Sequence, residues 1–354
     1  MNQSDSKQGP KILHNATAAM AITARAEYQA VELCAPVRRI LTLHSGSLRE
    51  LLFCLPALKT LRETFEGAHI GAVVRSGLAP LLESSGLLDE VFVRPEGGLS
   101  SQATLMAKLH AHKSDMAIAF SASRKSTLLA WSSGAPIRIG FADARMEALF
   151  THRVEKDGAR PLDIEACLDL ARAVGCAPRC YDYCEILQVA PHLLVEADSL
   201  LREYSLHGPF LVIAAQSETR ISREEQTRVG LQWKAVCLSL ASRWPLVFIG
   251  AKPNRNLLQA TRQAVPNGAF CDLGGQLDPI NLAALCARSK LFVGHAGGNS
   301  HLAAAMNIPV VAICPAKAER EVHEPRGVSH RVLESDCAPE MIVQAVKEMI
   351  GVKF

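Results

Sequence analysis

The sequence predicts an α/β protein with two domains, each built on a parallel sheet covered by helices. Three observations support this fold class. The chain has 354 residues, which is more than a single ordinary core accommodates. Apolar residues make up 49% and charged residues 21%, a balance typical of globular proteins. Short apolar runs alternate with segments of helical periodicity, and this alternation is typical of parallel strands joined by helices.

The first series of predicted strands defines an N-terminal domain. Its first strand begins at Arg39, runs into a polar turn at His44, and is followed by a helix with leucines at helical spacing. The remaining elements of this series are predicted strands at 69–74, 91–93, 116–120 and 138–141, with a helix at 79–84. Residues 1–37 precede the series as an extension, with a polar tail and an Ala-rich helix at 13–34.

The pattern restarts near residue 210 and defines a C-terminal domain. Its elements are predicted strands at 210–215, 246–250, 269–273, 291–294 and 310–313, with a helix at 233–243. The segment 188–196, which contains Pro191, is interpreted as the linker. The predicted domains are therefore 38–190 and 191–354, facing a central cleft. In such sheets ligands bind beyond the carboxyl ends of the strands.

Composition excludes several classes of protein. The 38 Lys and Arg residues nearly balance 35 Asp and Glu residues, which argues against a nucleic-acid partner. No apolar run is long enough for a membrane helix, and the polar start lacks a signal core, so a cytoplasmic location is expected. Of eleven cysteines, only Cys176, Cys180 and Cys184 cluster. Their spacing lacks the paired C-x2-C of metal sites, so ordinary thiols are favoured over a metal site.

The turn after the first strand carries a polar pair, Ser47 and Glu50, at the start of a helix. Backbone amides at a helix start attract phosphate or carboxylate groups, and Glu50 is placed where its carboxylate could face the cleft. On spacing alone the favoured interpretation is a capping box of the form S-x-x-E, in which Glu50 reaches back to the backbone at Ser47.

A second turn of this kind lies between Gly294 and Ala305. Gly297 and Gly298 permit backbone amides to approach a ligand closely, and the helix start that follows favours an anion. A diphosphate cradle is favoured over a turn whose glycines serve packing alone.

Both turns resemble glycosyltransferase family 9, the lipopolysaccharide heptosyltransferases. In the first turn Ser47-Leu48 and Leu55-Pro56-Ala57-Leu58 match the family sequence, and Glu50 falls at the family aspartate. In the second, the matches are Gly294, Gly298, His301-Leu-Ala-Ala-Ala305 and Pro309-Val-Val-Ala312. The resemblance covers nearly all of residues 38–315. It implies the GT-B fold, in which two Rossmann-like domains face a central cleft.

The resemblance also implies roles for individual residues. Glu50 takes the place of the base that deprotonates the acceptor hydroxyl. Arg124 and Lys125 follow a strand end and could meet an anionic acceptor, although a solvated basic turn explains them equally well. Donor-binding roles fall on Ser47, Asn254, Leu277, Gly297, Gly298, Asn299, Ser300 and His301. No cofactor and no metal site are expected.

Several positions depart from the family pattern. In the first turn His44 replaces an arginine and Arg49 a glycine. In the second, Ala296 replaces an aspartate and Gly297 a threonine. Leu231 stands at the family lysine that meets donor phosphates, and the candidates to compensate are Arg220, Arg223 and Arg228.

The resemblance implies an inverting glycosyltransferase that moves a heptose from ADP-heptose to a lipopolysaccharide core acceptor. Its partners would be a nucleotide-sugar donor and a glycan acceptor, and a peripheral contact with the inner membrane surface is left open. The departures keep two alternatives open. One is a catalytically inactive GT-B relative that serves binding or assembly, and the other is a transferase with a different donor or acceptor.

Overall fold

The computed structural model describes residues 35–156, 163–215, 223–252, 270–314, 324–327 and 329–351. The helix predicted at 13–34 lies outside these residues. Among the described helices, none combines the length and apolar character that crossing a membrane requires.

The N-terminal domain is a six-stranded, wholly parallel sheet with the strand order β3-β2-β1-β4-β5-β6. Its strands are β1 (Arg39–Leu43), β2 (His69–Arg75), β3 (Glu90–Arg94), β4 (Met116–Ala119), β5 (Ile137–Phe141) and β6 (His152–Val154). Its helices are α1 (Leu48–Thr64), α2 (Ala79–Glu83), α3 (Leu99–Ala111), α4 (Arg124–Ser132) and α5 (Ile164–Arg172). The central strands are buried on both faces, which explains their continuous apolar sequences.

The C-terminal domain repeats this architecture with the order β12-β11-β10-β7-β8-β9. Its strands are β7 (Leu211–Ala214), β8 (Leu246–Phe248), β9 (Phe270–Asp272), β10 (Leu291–His295), β11 (Val310–Cys314) and β12 (His330–Glu334). Its helices are α6 (Pro191–Glu203), α7 (Arg223–Ala241), α8 (Pro279–Arg288), α9 (Gly298–Ala305) and α10 (Pro339–Ile350).

Both sheets have the doubly wound order 3-2-1-4-5-6 when the strands are counted within each domain. The strand order reverses between β1 and β4 in the first sheet and between β7 and β10 in the second. Ligand crevices of doubly wound sheets open at this reversal, beyond the carboxyl ends of the strands. The two turns singled out from the sequence follow β1 and β10, so each lies at a reversal point.

The predicted fold class is confirmed, with two local differences. The segment 188–196 is only partly a linker, because α6 begins at Pro191, where a proline suits the first helical position. The helix predicted at 233–243 begins earlier, at Arg223, since the polar residues 223–228 form its first turns rather than a loop. Polar residues have adequate helix propensity, but they carry no apolar periodicity from which a helix could be predicted.

Candidate functional site

The turn after β1 is organised around the carboxylate of Glu50. Ser47 caps α1, its hydroxyl accepting from the Glu50 N–H at 3.4 Å, while the Ser47 N–H donates to Glu50 Oε2 at 2.6 Å. The predicted capping box is therefore present. Gly46 makes it possible, because a Cβ at that position would overlap the Glu50 side chain. The half-buried carboxylate borders a small cleft with His44 and Phe120.

His44 ends the first strand as a buried, neutral imidazole. Its ring stacks on Phe120 with centroids 5.1 Å apart, and Nε2 shares a hydrogen bond with Thr42 Oγ1 at 3.1 Å. Burial lowers the pKa of His44 to about 3. The arginine of the family would carry a charge here, whereas His44 stays uncharged at neutral pH.

The start of α4 joins the same turn through serine hydroxyls. Ser123 caps α4, accepting from the Ser126 N–H at 3.2 Å, and Ser45 hydrogen-bonds to Ser126. Because α4 follows β4, these contacts connect the two loops that flank the reversal point. Arg124 and Lys125 lie in the first turn of α4 with exposed side chains, so they face solvent at the cleft edge. Their acceptor role stays a prediction.

The turn after β10 differs because its polar groups face inward. Gly297 and Gly298 are both buried, and the Ser300 hydroxyl accepts from the Gly297 N–H at 3.0 Å and donates to the Gly297 carbonyl at 2.8 Å. Ser300 is fully buried and holds the turn, while Asn299 is half-buried. A Cβ on Gly298 would lie 3.2 Å from Leu48 Cβ, so the starts of α9 and α1 are in contact.

His301 lies at the junction of the two domains. Its imidazole is fully buried, packs edge-on against Phe53 of α1 at 5.0 Å, and its Nδ1 lies 2.6 Å from the Tyr183 hydroxyl. That hydroxyl accepts from the Arg326 N–H at 3.0 Å, so it donates its own proton to Nδ1. His301 therefore accepts at Nδ1 and carries its proton on Nε2. A direct contact of this ring with a donor phosphate requires α1 to move away from α9, and that contact stays a prediction.

His295 ends β10 as His44 ends β1. It is largely buried, and the buried indole of Trp233 donates to its Nε2 at 3.2 Å. Burial lowers the pKa of His295 to about 4. The indole thus fixes a neutral imidazole beside the glycine turn.

The remaining predicted donor residues are more scattered. Leu277 precedes α8 and lines a groove of about 400 Å³ between α6 and α8. Leu231 lies eight residues into α7 with 65% of its surface exposed, so it does not occupy a strand end. Asn254 and Arg220 lie outside the described residues, as does the side chain of Arg223. Arg228 is exposed and lies in α7.

Cys176, Cys180 and Cys184 do not form a cluster of metal ligands within the described part of the chain. The Cys184 thiol donates to the carbonyls of Ala304 and Arg326, and the Cys180 thiol donates to the Asp182 carbonyl. Burial is the main cause that raises the pKa of Cys184, to about 12, so this thiol stays protonated. Thiols of this kind are structural.

The sequence did not single out Tyr183, Phe53 or Ser126 for the site. Tyr183 and His301 are 118 positions apart, and no periodicity connects them. The available signal was indirect: a tyrosine between two cysteines just before the linker, in a segment that has to pass the domain junction.

Two doubly wound domains, each with a turn at its reversal point, give the GT-B architecture. The chain belongs to glycosyltransferase family 9 (heptosyltransferase), whose family model matches residues 103–343. No curated protein sequence matches the chain.

Solved structures of low sequence identity share the fold. The glycosyl transferase family 9 protein from Veillonella parvula is 16% identical with a TM-score of 0.77, covering 89% of this chain and 98% of its own. The E. coli ADP-heptose lps heptosyltransferase II is 19% identical with a TM-score of 0.72, covering 88% and 98%. E. coli heptosyltransferase WaaC with ADP-2-deoxy-2-fluoro heptose is 18% identical with a TM-score of 0.64, covering 88% and 99%.

Proposed function

We propose that the chain is an inverting glycosyltransferase that moves a heptose from ADP-heptose to a lipopolysaccharide core acceptor. Membership of glycosyltransferase family 9 supports the reaction class. The choice of donor is motivated by the name of one similar protein, the E. coli ADP-heptose lps heptosyltransferase II, and by the ADP-2-deoxy-2-fluoro heptose bound to another, E. coli WaaC.

The observation that carries the proposal is the convergence of two helix starts from different domains. Leu48 and Gly298 are the first residues of α1 and α9, and they lie against each other. The backbone N–H groups at each helix start point out of the helix and give it a partial positive charge, so together the two starts attract an anion between the domains. The diphosphate of a nucleotide-sugar has the charge and the shape for such a place.

The reaction also needs a base beside the diphosphate, and Glu50 is the residue proposed for this role. It lies in the first turn of α1, three positions from the cap, and its carboxylate accepts from a backbone N–H. A carboxylate held in this way can take the proton of an acceptor hydroxyl as the hydroxyl attacks the anomeric carbon. The backbone amides of the helix starts would stabilise the departing diphosphate.

The test is calorimetric titration with ADP, UDP and GDP, followed by turnover of ADP-heptose with a core oligosaccharide. We expect ADP to bind and the Gly298→Trp variant to lose this binding, because the indole would fill the contact between α9 and α1. Gly98→Trp is the matched control, since a Cβ at Gly98 meets nothing within 4 Å. If no nucleotide binds at millimolar concentration, the proposal of a transferase is wrong and the binding or assembly role is favoured. Binding of UDP or GDP alone would identify a different donor.

A further inference from the structure

A cluster of two histidines and a glutamate lies at the amino ends of the strands in the N-terminal sheet, away from both turns. His69 begins β2, Glu90 begins β3, and His112 follows α3. One nitrogen or oxygen of each side chain lies within 4.8 Å of the others. Because β1 and β2 pair in parallel from Arg39 and His69, a strand of five residues, about 16 Å, separates this cluster from the turn at His44.

A glycine on β2 allows the ring of His112 to lie close to the strand. Gly71 follows His69 by two positions on β2, so both face the same side of the sheet, and it pairs with Glu90 on β3. A Cβ on Gly71 would lie 3.2 Å from His112 Nε2. The imidazole of His112 therefore covers a position flanked by His69 and Glu90.

The distance between the two histidines matches that of a metal site. His112 Nε2 and His69 Nδ1 are 3.3 Å apart, which is long for a hydrogen bond between nitrogens. Two imidazole nitrogens about 2.0–2.1 Å from a tetrahedral zinc ion lie about 3.3–3.4 Å from each other. Glu90 Oε2 is 3.9 Å from His112 Nε2, and its side chain is 46% exposed, so the carboxylate would have to come closer to share an ion with the imidazoles.

The surroundings of His112 hold its ring in place for ligation. Its Nδ1 is hydrogen-bonded to Ser114 Oγ at 2.8 Å, and its ring packs edge-on against Phe92 at 5.5 Å. A partner on one nitrogen leaves the other to face the metal. Burial lowers the pKa of His112, with further lowering by Arg39 and His69 against an opposing effect of Glu90.

We propose that His69, Glu90 and His112 bind a divalent transition-metal ion of the zinc type. Two imidazoles and one carboxylate suit such an ion, and water can complete its coordination. The ion would clamp the starts of β2 and β3 to the turn after α3. The ion has no part in sugar transfer, because it lies at the amino ends of the strands, whereas Glu50 lies beyond the carboxyl end of β1.

The test is calorimetric titration of the full chain with Zn²⁺ near neutral pH, repeated with Glu90→Gln and His69→Gln. We expect either variant to weaken binding by at least about 100-fold, more than the roughly 10–100-fold that loss of an outer-shell partner costs. Ser114→Ala should fall in that smaller range. His110→Gln is the matched control, an exposed histidine two positions from His112, and should bind as the wild type does.

A measurement on the unaltered protein guards against variants that do not fold. Co²⁺ bound at this site should give the absorption of a tetrahedral ion with nitrogen and oxygen ligands. A spectrum dominated by thiolate-to-cobalt charge transfer would place the ion on cysteines and overturn the proposal. Absence of Zn²⁺ binding to the wild type, or equal binding by wild type, Glu90→Gln and His69→Gln, would also overturn it.

Discussion

The turn after β1 and the turn after β10 both lie at the reversal point of their sheet, after the first and the fourth strand respectively, but are built differently. Each begins with a neutral histidine at the strand end, passes through glycine and enters a helix. In the first turn Ser47 is exposed and Glu50 half-buried, so polar side chains border the cleft. In the second, Ser300 and His301 are fully buried and hold the turn itself.

This difference indicates a division of roles between the domains. The N-terminal turn offers side chains that can exchange protons, whereas the C-terminal turn offers backbone amides and the contact between the domains. Substitutions at chemically similar positions should therefore act on different quantities. Changes in the first turn should affect turnover, and changes in the second should affect stability and the binding of an anion.

The largest expected effect is at Glu50. Glu50→Gln removes a general base but keeps an amide oxygen that can accept from the Ser47 N–H, as capping boxes with glutamine do. We expect kcat for heptose transfer to fall about 10²–10⁴-fold, the usual contribution of general acid–base catalysis. The free energy of unfolding should change little. Steady-state kinetics and urea unfolding measure the two quantities.

Ser47→Ala is the matched control for Glu50→Gln. It removes the cap and should lower the free energy of unfolding by about 1 kcal/mol, but it leaves the carboxylate in place. If Glu50→Gln and Ser47→Ala reduce kcat equally, Glu50 acts only through the helix cap, and its role as base is wrong.

The second effect concerns the two buried histidines and pH. The pKa values of His44 and His295 are lowered to about 3 and about 4 by burial, from 6.5 in the unfolded chain. Below pH 6.5 the unfolded state binds protons that the folded state does not, so the free energy of unfolding falls with pH. Each histidine contributes a slope of up to about 1.4 kcal/mol per pH unit, or roughly 3 kcal/mol between pH 6.5 and 4.

Denaturant unfolding at several pH values between 7 and 4 checks this prediction. His44→Gln and His295→Gln should each make the pH dependence shallower, whatever their cost at pH 7. His207→Gln, at an exposed histidine, should leave the slope unchanged. A slope identical in the wild type and both buried variants would show that these imidazoles take up protons in the folded state.

The third effect tests the junction at His301. Tyr183→Phe removes the hydroxyl that donates to His301 Nδ1 and accepts from the Arg326 N–H. Loss of a partner for a buried polar group costs about 1–3 kcal/mol, so we expect a loss of that size in urea unfolding. Tyr181→Phe, whose exposed hydroxyl donates to the Pro178 carbonyl, should change it by less than about 0.5 kcal/mol. Equal losses in the two variants would contradict a special role for the junction.

Much of the fold could be predicted from the sequence because parallel strands buried on both faces are short apolar runs. The two turns after Leu43 and Gly294 followed from their polar and glycine residues, and the capping box followed from the spacing of Ser47 and Glu50. These features are local. Each depends on residues within a few positions of one another, so the sequence carries them directly.

Contacts between distant segments could not be predicted in the same way. The neighbouring sequence shows only that His301 lies near a helix start, whereas its burial depends on Phe53 and Tyr183 of other segments. Likewise His69 and Glu90 are 21 positions apart and Glu90 and His112 are 22 apart, and they meet through the pairing of β2 with β3 and the position of the turn after α3. Such groupings depend on strand order, which the sequence specifies only through the complete fold.

The smallest expected effect separates the glycines of the two turns. Gly46→Ala places a methyl group where the Glu50 side chain lies, so it should displace the carboxylate and reduce kcat, with loss of the cap costing about 1 kcal/mol. Gly298→Ala places a methyl group 3.2 Å from Leu48, a flexible side chain that can shift slightly. It also gains helix propensity, so we expect a change in the free energy of unfolding below about 1 kcal/mol and of either sign.

Kinetics and unfolding of the two variants together decide whether the N-terminal turn acts through a side chain and the C-terminal turn through its backbone. A larger loss of kcat in Gly298→Ala than in Gly46→Ala would reverse that assignment.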